Sequence, residues 1–594
     1  MCGIFGYVGE SKNAAKIVLS GLKSLEYRGY DSWGVAVVPT GGNLSDRKIV
    51  VKKRAGKIGM GTVNELPESS FAFGHTRWAT HGGVSEINAH PHLDCTGTIA
   101  IIHNGILENY QEIKAKLLKK GHHFISQTDT EVAVHLIEEY AKTMLFSKAV
   151  QKAFNQMEGL NAFIAMNTKI NQFVAVRNGS PLVVGFGTNA NYLASDAAAL
   201  LPYTRQVHFL EDDEMAIVSA SGVMIFNARS GERIRPKKQL LTWSIAQVEK
   251  GKFPYFMLKE IYEQPGIIAD IAADGDDRAE ELAQMIKKSH GTYMVGCGTA
   301  AHACLVGSIL FSKIAKRHVD WAIASEFEYE LDFLTPASLV LALSQSGETM
   351  DTLEAIRKAK KKGAGIIAIV NVLGSTLYRE SNEQLIIGAG PERGVASTKA
   401  FTGKVAHLVL LAHAVAGNVK NGQKMLTKTA RVAKEVLAPQ SVARIQQLAT
   451  ILKAKDDIYV IGRGMSYPAS LETALKIKEI SYIHAEGFAA GELKHGVIAL
   501  IEKGTPCIAF LPNDETYEAN LAGAMEMKAR GGYIIGISYK PHDVFDYYIP
   551  VADAGEATVI PNVMVAQLLA YYLTLERGYD PDMPRNLAKS VTVK

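Results

Sequence analysis

Hydrophobic and polar positions divide the chain into two parts of different character. Residues 1–235 carry short apolar runs that are typical of strands, and two longer segments with helical spacing interrupt them. The strand runs include Gly34–Val38, Ile99–Ile102, Phe163–Met166 and Phe173–Arg177, and the helical segments are Lys12–Leu25 and Asn109–Lys120. This pattern predicts an α+β domain of layered, mostly antiparallel sheets.

From residue 285 onward, buried β runs alternate with helices, which is typical of parallel sheets built from βαβ units. This part of the chain also contains an internal repeat. Tyr293–Ala303 is similar to Tyr459–Ala469, and further along Gly365–Val370 is similar to Tyr533–Ser538 at nearly the same separation. We therefore expect two doubly wound α/β domains, at 285–425 and 450–575.

Less periodic segments join and end these domains. Residues 236–284 are predicted to form a linker and a connecting helix, with the linker at Leu241–Pro265 leading into a helix that contains Phe256–Glu263. Residues 576–594 are predicted to form a C-terminal tail with little periodicity.

Composition excludes several classes of protein. The chain has 594 residues, 47% hydrophobic and 21% charged, with a formal net charge of +4, as in an ordinary globular protein. The one basic run, residues 358–362, is expected at a helix end, so neither a nucleic acid nor a membrane is predicted as a partner. The N-terminus lacks a signal pattern, and the most apolar stretch, Val405–Gly417, is too short to span a bilayer.

The cysteines point to a reducing compartment. The chain has five of them, at positions 2, 95, 297, 304 and 507, and none forms a CxxC pair. An odd, scattered set predicts neither a disulfide framework nor a zinc site. We therefore expect a cytoplasmic protein that needs no metal and no cofactor.

Cys2 is the most informative residue of the chain. Removal of Met1 would give Cys2 both a thiol and a free α-amine. The thiolate is the reactive form of cysteine, and an α-amine with a pKa of about 7.7–8 could serve as its base at neutral pH. The alternative is a small buried cysteine at the start of a first strand.

An anion site is predicted in the segment Leu341–Thr349. The apolar run Ser338–Leu343 is expected to be a strand, and a helix is expected to start at Thr349. Between them lies the small polar turn Ser344, Gln345, Ser346, Gly347. Hydroxyl and backbone N–H groups at a helix N-terminus bind anions. The segment lacks the Gly-Lys-Ser/Thr of a P-loop, so a nucleoside triphosphate is not predicted. The alternative is a serine-rich, N-capped turn.

A second group of ionisable residues lies in the later repeat. Glu472, Lys476 and Glu479 have the spacing of one helix face. His495 follows in a glycine-bounded segment that is expected to be a loop. A carboxylate, an amine and an imidazole together suit proton transfer next to a carbonyl. The alternatives are a surface stripe of ion pairs and a solvated histidine.

The first domain contains three further candidate groups. The segment Gly74–Gly83 supplies Arg77, Trp78 and His81. His103-Asn104-Gly105 follows a buried strand, and an asparagine amide next to a glycine N–H is the chemistry of an oxyanion hole. Asp129 stands at the start of a predicted helix, where the alternative role is an N-cap.

Taken together, these residues resemble the isomerizing glutamine–fructose-6-phosphate aminotransferases over nearly the whole chain. The family's motifs occur in order: GHTRWATHG, HNG, SQSGET, GVASTKAF, LKIKEISYIHAEGFAAGELKHG and PRNLAKSVT. The resemblance implies a class II glutamine amidotransferase domain at 1–235, with the layered α/β/β/α fold of Ntn hydrolases. Two sugar isomerase (SIS) domains and a tail that contributes to the sugar site would follow it. It also implies conversion of fructose 6-phosphate and glutamine to glucosamine 6-phosphate and glutamate, as the first step of hexosamine biosynthesis.

For the first domain, the resemblance implies that Cys2 attacks the side-chain amide of glutamine and that Asn104 and Gly105 form the oxyanion hole. The other residues implied for this site are Arg77 for the α-carboxylate of glutamine, Asp129 for its α-amino group, Thr76 and His81 for the wall, and Trp78 as the gate of an ammonia channel.

For the second half, the resemblance implies that Lys589 forms a Schiff base with the keto sugar, that Glu479 moves a proton between C1 and C2, and that Lys476 assists it. His495 would open the sugar ring in the site of a neighbouring subunit, which implies a homodimer or a larger homo-oligomer. The phosphate contacts implied are Thr299, Ser344, Gln345, Ser346 and Thr349, and the contacts to the sugar hydroxyls are Val395 and Ser397.

Two residues depart from the commonest family pattern. Ala300 stands where many members have serine, and Thr242 precedes Trp243 where aspartate is common. Neither lies on the implied chemical path. The chain also lacks the insertion of eukaryotic members, so no nucleotide-sugar feedback site is expected.

Three alternative functions are open on the sequence. An amidotransferase for phosphoribosyl pyrophosphate shares the cysteine domain but not the duplicated second half. A deglycase of fructosamine phosphates shares the SIS domains but not the first half. A sugar-phosphate sensor without activity would not need Cys2, Glu479 and Lys589 together.

Overall fold

The computed structural model describes residues 2–41, 47–241 and 248–591, with the side chain of Asp276 excepted. Met1, Thr242 and Trp243, which enter the sequence argument, lie outside the described residues. The chain divides into two units: Met1–Glu249 with Ser590–Lys594, and Lys250–Lys589. We describe each unit by itself.

Antiparallel strands form most of the first unit. They are β1 (Gly3–Gly9), β2 (Ser32–Val37), β3 (Val50–Ala55), β4 (Phe71–Arg77), β5 (His92–Leu93), β6 (Ile99–Gly105), β7 (Asn161–Asn167), β8 (Ile170–Asn178), β9 (Val183–Phe186), β10 (Ala190–Ala194), β11 (Gln206–Phe209), β12 (Glu214–Ser219), β13 (Gly222–Asn227), β14 (Arg233–Ile234) and β15 (Gln239–Leu240). Within the described residues they form an eight-stranded sheet, β15-β11-β9-β10-β1-β4-β2-β3, and a seven-stranded sheet, β14-β13-β12-β8-β7-β6-β5.

Helices cover the outer faces of these two sheets. They are α1 (Ala14–Leu25), α2 (Tyr110–Leu118), α3 (Asp129–Ala141) and α4 (Phe146–Phe154), with short 3₁₀ helices at Glu26–Arg28 and Ala197–Leu200. One apolar cluster lies between the sheets, a second joins α1 to the eight-stranded sheet, and a third joins α3 and α4 to the seven-stranded sheet. The predicted α/β/β/α layering is confirmed, because alternate strand residues bury opposite faces of each sheet.

The register of three strands brings the candidate residues of this unit together. In the pairing of β1 with β4, Gly3 lies opposite Thr76, so Cys2 lies beside Arg77 at the end of β4. The strand β6 ends at Asn104 and Gly105, which pair with residues 162 and 161 of β7. The candidate nucleophile and the predicted oxyanion hole thus lie at the ends of strands in two facing sheets.

Two parallel sheets form the second unit. Their strands are β16 (Gly291–Gly296), β17 (Asp320–Ile323), β18 (Ser338–Ser344), β19 (Gly365–Val370), β20 (Glu383–Ile386), β21 (Asp457–Gly462), β22 (His484–Ala489), β23 (Pro506–Leu511), β24 (Tyr533–Ser538) and β25 (Tyr547–Pro550). The described strands have the orders β17-β16-β18-β19-β20 and β22-β21-β23-β24-β25, which are the same topology. The duplication predicted from the repeated segments is therefore confirmed.

Helices pack on both faces of each parallel sheet. They are α5 (Phe256–Asp274), α6 (Asp276–Lys288), α7 (Thr299–Leu310), α8 (Ala324–Phe327), α9 (Met350–Lys361), α10 (Thr376–Glu380), α11 (Lys399–Val415), α12 (Val419–Val436), α13 (Pro439–Leu452), α14 (Ser466–Ser481), α15 (Tyr517–Lys528) and α16 (Val559–Glu576). Shorter helical turns lie at Phe311–Ala315, Leu331–Phe333, Ala490–His495, Val497–Leu500 and Gly555–Ala557. The doubly wound fold is confirmed for both repeats.

Two elements differ from the sequence prediction. The predicted linker extended to Pro265, but α5 runs through this proline and buries it together with Gln264. A proline costs one helical hydrogen bond, and burial of the surrounding helix face offsets that cost. Among the described residues, one segment, Gly555–Glu576, is long and apolar enough to cross a membrane, and 89% of its apolar window is buried inside the fold.

Candidate active sites

The thiol of Cys2 lies at the end of the inner strand β1 of the eight-stranded sheet. The backbone N–H of Trp78 donates a hydrogen bond to Cys2 Sγ at 3.2 Å, and the N–H of Gly3 donates to Thr76 Oγ1 at 3.1 Å. Burial raises the pKa of the Cys2 thiol, and the hydrogen bond from Trp78 opposes that rise only in part. A nucleophile in this position therefore needs a base to form its thiolate.

Asn104 directs its amide nitrogen at Cys2. Its Nδ2 donates to the carbonyl oxygen of Cys2 at 2.9 Å, and its Oδ1 lies 3.0 Å from His75 Nε2. Burial lowers the pKa of His75 to about 3, so its ring is neutral. Because His75 Nε2 also lies 3.0 Å from the carbonyl oxygen of His103, this nitrogen must carry the ring proton. His75 thus fixes the orientation of the Asn104 amide.

Gly105 is required by the backbone at the end of β6. Its φ is +133°, a conformation that residues with a side chain rarely adopt. A Cβ atom added here would collide with the carbonyl oxygen of Leu160. An asparagine amide and a glycine N–H therefore stand together, which is the arrangement that stabilises an oxyanion.

Two opposite charges lie in the same pocket. Arg77 is buried and donates hydrogen bonds to the carbonyl oxygens of His81, Gly82 and Gly83. Among the residues that the structure describes, Arg77 forms no ion pair with a carboxylate, although Asp129 and Asp31 lie near enough to interact with its charge. Asp129 Oδ2 accepts a hydrogen bond from the N–H of Leu107 at 2.7 Å. A guanidinium that is held by carbonyl oxygens and has its charge uncompensated by an ion pair, together with a carboxylate, suits the α-carboxylate and α-amino groups of an amino acid.

The alternative role of Asp129 as an N-cap is wrong. Asp129 is the first residue of α3, and Thr128 is the cap, because Thr128 Oγ1 accepts a hydrogen bond from the N–H of Glu131. This leaves the Asp129 side chain free of a capping role.

One pocket brings most of the predicted residues together. Its lining includes seven of them: Cys2, Arg77, Trp78, His81, Asn104, Gly105 and Asp129. Thr76 is not in the lining, since its hydroxyl oxygen accepts a hydrogen bond from the backbone N–H of Gly3, the residue after Cys2. The lining also includes residues that were not predicted, namely Thr80, His90, His103, Thr128 and Thr130.

The predicted anion turn lies in the second unit, at the end of β18. Ser344 Oγ accepts a hydrogen bond from the N–H of Gly347 at 3.0 Å and lies 3.3 Å from Thr349 Oγ1. Thr349 is the N-cap residue of α9. Gly347 has a φ of +65°, and a Cβ atom here would collide with the side chain of Ser375. The turn therefore gathers hydroxyl and N–H groups at a helix N-terminus, as an anion site requires.

Thr299 joins the two repeats at the same sheet edge. It begins α7 directly after β16, the neighbour of β18. Lys476 Nζ donates to Thr299 Oγ1 at 3.0 Å, and Thr299 Oγ1 donates to Glu472 Oε1 at 3.1 Å. Open parallel sheets bind ligands at this edge, where the strand order reverses.

The predicted helix face of Glu472, Lys476 and Glu479 is confirmed on α14. Lys476 forms ion pairs with both carboxylates, and the Lys476 and Glu472 side chains are buried. The alternative of a surface stripe is therefore wrong. His302 Nδ1 adds a further contact to Glu472 Oε2, at 2.7 Å.

The two carboxyl groups of this face differ in acidity. Burial would raise the pKa of Glu472, but Lys476 and His302 more than offset this and lower it. Burial raises the pKa of Glu479, and Lys476 opposes the rise without cancelling it. A buried pair of carboxyl groups with pKa values moved in opposite directions is typical of an acid–base site.

Lys589, in the C-terminal tail, forms a buried ion pair with Glu392. Lys589 Nζ lies 2.6 Å from Glu392 Oε2 and donates to the carbonyl oxygen of Gly394 at 2.7 Å. Burial would raise the pKa of Glu392, but Lys589 and backbone N–H groups hold it at about 2. Lys589 is also close enough to Glu479 to oppose a small part of the rise in the pKa of that carboxyl group, which burial causes.

The predicted sugar contacts lie on the same loop as Glu392. Ser397 Oγ donates to Glu392 Oε2 at 3.1 Å, and the N–H of Val395 donates to the carbonyl oxygen of Asp582 at 3.1 Å. The loop and the tail thus hold each other, which brings Lys589 to Val395 and Ser397.

His495 stands apart from this group. It is exposed and ends the 3₁₀ helix Ala490–His495, so the prediction of a loop is wrong. Among the described residues, no hydrogen bond or ion pair links it to Glu479 or Lys589. Its assignment to the site of a neighbouring subunit stays a prediction.

Sequence reasoning missed three residues that hold the candidate nucleophile and acid–base groups. They are His75, His302 and Glu392. His75 and Glu392 lie inside or next to motifs that the sequence analysis singled out, and each is buried with one polar atom paired to a candidate residue. A polar residue inside an apolar run, as His75 is in β4, was the available signal.

Comparisons with known proteins agree with this two-unit arrangement. The family model of the glutamine amidotransferase domain matches residues 75–202, and that of the SIS domain matches residues 285–414 and 450–577. The C-terminal domain of glucosamine-fructose-6-phosphate aminotransferase from Francisella tularensis covers 57% of this chain and 99% of its own, with 36% identity and a TM-score of 0.51.

Curated relatives match the full length. Proteins named glutamine–fructose-6-phosphate aminotransferase [isomerizing] from Thermococcus kodakarensis, Pyrococcus horikoshii and Thermus thermophilus are 44%, 43% and 42% identical, and each match covers 100% of both chains. The chain therefore belongs to the family of isomerizing glutamine–fructose-6-phosphate aminotransferases.

Proposed function

We propose that this chain converts D-fructose 6-phosphate and L-glutamine to D-glucosamine 6-phosphate and L-glutamate. One observation supports the proposal: a thiol beside an asparagine amide and a glycine, and a buried lysine near two buried carboxyl groups, lie on one chain. The first group can release ammonia from an amide, and the second can place that ammonia on a keto sugar.

In the first unit, the Cys2 thiolate attacks the side-chain carbonyl carbon of glutamine. The N–H groups of Asn104 and Gly105 would hold the oxyanion that forms, and collapse of this intermediate releases ammonia and leaves a thioester. Water then hydrolyses the thioester to glutamate. Arg77 and Asp129 are the proposed contacts to the α-groups of glutamine, with Thr76 and His81 supporting the wall.

The base in this reaction is the α-amine of Cys2 after removal of Met1. Such an amine has a pKa of about 7.7–8, so a fraction of it is unprotonated at neutral pH. The buried thiol, whose pKa is raised, makes a base necessary. The intact mass of the purified protein tests this step directly: it must lack the initiator methionine.

In the second unit, the phosphate of fructose 6-phosphate would bind the turn of β18 and α9. The proposed contacts are Thr299, Ser344, Gln345, Ser346 and Thr349, and those to the sugar hydroxyls are Val395 and Ser397. The support is the cluster of hydroxyl groups at one helix N-terminus. Ala300 adds no hydroxyl to this site.

The chemistry of the sugar would begin with Lys589. Its amine attacks the C2 carbonyl and expels water, which gives a Schiff base, and ammonia then displaces the lysine. Glu479 removes a proton from C1 and returns one to C2, which converts the imine of the ketose into the amino aldose. Lys476, paired with Glu479, would steady the charge on that carboxylate, and His495 from a neighbouring subunit would open the sugar ring.

The two steps need a protected route for ammonia. Ammonia in cytoplasmic water is mostly ammonium, which is not nucleophilic, so a dry passage with Trp78 as its gate would keep it neutral. The proposal includes the domain boundaries 1–235, 285–425 and 450–575, with 236–284 as connection and 576–594 as tail, and a cytoplasmic homodimer or larger homo-oligomer.

Product analysis tests the proposal. Purified protein receives glutamine and fructose 6-phosphate together, with glutamine alone and sugar alone as controls. We expect glucosamine 6-phosphate and glutamate in equal amounts. Glutamate without amino sugar would mean that the acceptor is a different molecule, as in the phosphoribosyl pyrophosphate alternative, and no turnover at all would favour a sensor.

A further inference from the structure

Four side chains of the first unit direct possible metal ligands at one another. The atoms belong to Cys95, His122, His135 and Glu138, and all lie within 4.8 Å of one another. Cys95 lies in the turn between β5 and β6, and His122 lies between α2 and α3. His135 and Glu138 are three residues apart on α3, so they share one helix face.

The distances fit a tetrahedral zinc ion. Zinc bonds of about 2.3 Å to sulfur and about 2.0–2.1 Å to nitrogen place sulfur and nitrogen ligands about 3.5–3.6 Å apart. Cys95 Sγ lies 3.5 Å from His135 Nδ1 and 3.7 Å from His122 Nδ1. Glu138 Oε2 lies 3.0 Å from His122 Nδ1 and 2.9 Å from His135 Nδ1. The carboxylate would need to withdraw by only about 0.4 Å to reach tetrahedral spacing.

The surroundings of the two imidazoles supply independent support. Both rings turn Nδ1 inward and Nε2 toward a further carboxylate: His122 Nε2 lies at hydrogen-bond distance, 3.2 Å, from Glu139 Oε2, and His135 Nε2 faces Glu131 Oε1 at the longer distance of 3.8 Å. Histidine ligands of metals usually have this outer carboxylate, which fixes the ring and strengthens the bond to the metal.

A network of hydrogen bonds without a metal is the competing interpretation. In it, Glu138 accepts from two imidazoles and from the backbone N–H of Cys95. Such a network does not need a thiol, yet the Cys95 sulfur lies 3.5 Å and 3.7 Å from the two Nδ1 atoms, which is close to the separation of two ligands of one zinc ion. Cys95 is exposed whereas the other three residues are buried, so an ion can enter from the Cys95 side.

We propose that Cys95, His122, His135 and Glu138 bind one zinc ion. A thiolate, a carboxylate and two neutral imidazoles balance the charge of Zn²⁺, and this mixed set of ligands suits zinc better than magnesium or calcium. Four protein ligands leave no open position, which makes the site structural. The sequence predicted no zinc site because the four ligands come from three separate segments and no second cysteine stands near Cys95.

The site would tie together the elements that carry the glutamine pocket. The α3 helix begins at Asp129, and β6, which follows the Cys95 turn, ends at Asn104 and Gly105. An ion held by this turn and by α3 fixes the two elements relative to each other. Zinc binding should therefore raise the stability of the folded chain, since the unfolded chain has no preformed site.

Cobalt titration tests the proposal on the full-length, untagged protein after treatment with a chelator. We expect one Co²⁺ per chain, with a thiolate charge-transfer band and the intense visible bands of tetrahedral cobalt, and displacement of cobalt by one equivalent of Zn²⁺. Cys95→Ser should remove the charge-transfer band, whereas Cys2→Ser should retain it. His122→Gln should weaken zinc binding at least about 100-fold, and Glu139→Gln about 10- to 100-fold.

His123→Gln is the matched control, because His123 is the exposed neighbour of His122 and should bind zinc like the wild type. Zinc should raise the apparent Tm of the wild type and of this control but not of Cys95→Ser. Cys95→Ser replaces one atom of an exposed residue, so it keeps the test valid if His122→Gln fails to fold. Absence of a band, its persistence in Cys95→Ser, or its loss only in Cys2→Ser would overturn the proposal.

Discussion

Glu392→Gln tests the role of the buried ion pair that holds Lys589. The substitution removes the negative charge and keeps the shape, and the glutamine Oε1 can still accept the hydrogen bonds that Thr398 and Ala400 donate to Glu392. What it removes is the charge opposite the Lys589 ammonium, 2.6 Å away. Glu392 Oε2 also accepts a hydrogen bond from the Ser397 hydroxyl, which can rotate to accept from the new amide, so the effect reports mainly on the pair.

The burial of the pair sets the magnitude. The Lys589 side chain is 6% exposed and that of Glu392 is 0% exposed, so solvent cannot replace the lost carboxylate. Loss of one partner of a buried ion pair costs about 3–5 kcal/mol. If the whole cost appears as displacement of Lys589 from the site, formation of glucosamine 6-phosphate falls by a factor of roughly 10² to 4 × 10³, at about 1.4 kcal/mol for each factor of ten.

The assay measures two rates separately: formation of glucosamine 6-phosphate, and hydrolysis of glutamine without sugar. Glutamine hydrolysis is the proposed activity of the other unit, so its rate should not change. Glu383→Gln is the matched control. Its carboxylate pairs with Arg278 in the same unit, but the two side chains are 38% and 35% exposed. That pair therefore contributes only about 0–1 kcal/mol to the free energy of unfolding. Synthesis by Glu392→Gln above a tenth of the wild-type rate, or an equal loss in Glu383→Gln, would refute the reasoning.

Three further outcomes follow from the two sites. Cys2→Ala should abolish release of glutamate but keep isomerisation of hexose phosphate; loss of both in a folded variant would show that the halves are not separable. Asn104→Ala should lower kcat for glutamine hydrolysis roughly 10²- to 10³-fold, while the exposed control Asn64→Ala should not; equal rates would exclude the oxyanion role. Burial would raise the pKa of Glu392, but Lys589 outweighs burial and lowers this pKa to about 2, below the unfolded value of about 4.3. The pair therefore stabilises the fold above a pH of about 4.3, and this stabilisation is lost as the pH falls toward 2. The Tm difference between wild type and Glu392→Gln should shrink across that range, and a constant difference would contradict the assignment.

Local patterns predicted the elements but not their ends. The run Phe163–Met166 identified β7, yet the strand extends from Asn161 to Asn167, because its polar end residues satisfy the sheet hydrogen bonds without adding to the apolar signal. The repeat predicted two sheets of the same topology. It could not predict the strand order, which depends on pairing between distant segments.

The site was predictable where its residues are close in sequence. The turn from Ser344 to Thr349 and the helix face of Glu472, Lys476 and Glu479 follow from spacing alone, and the structure brings each group together. The partners of these residues were not predictable in the same way. His302 lies 170 residues from Glu472, so only the folded arrangement of the two repeats joins them.

The pair of Lys589 and Glu392 shows the same limit. The two residues are 197 positions apart, and the tail that carries Lys589 has no periodicity from which to place it. The metal ligands proposed for Cys95 were missed for the same reason, since three segments supply them. Spacing rules find sites built on one helix or one turn, and they do not find sites assembled by tertiary contacts.

The central claim is that one chain releases ammonia at Cys2 and uses it on the sugar at Lys589. The most direct measurement supplies glutamine labelled with ¹⁵N in the side-chain amide, together with fructose 6-phosphate and an excess of unlabelled ammonium. The account predicts glucosamine 6-phosphate in an amount equal to glutamate, with the ¹⁵N label undiluted. Amino sugar whose label is diluted to that of the bulk ammonium, or glutamate formed without amino sugar, would contradict it.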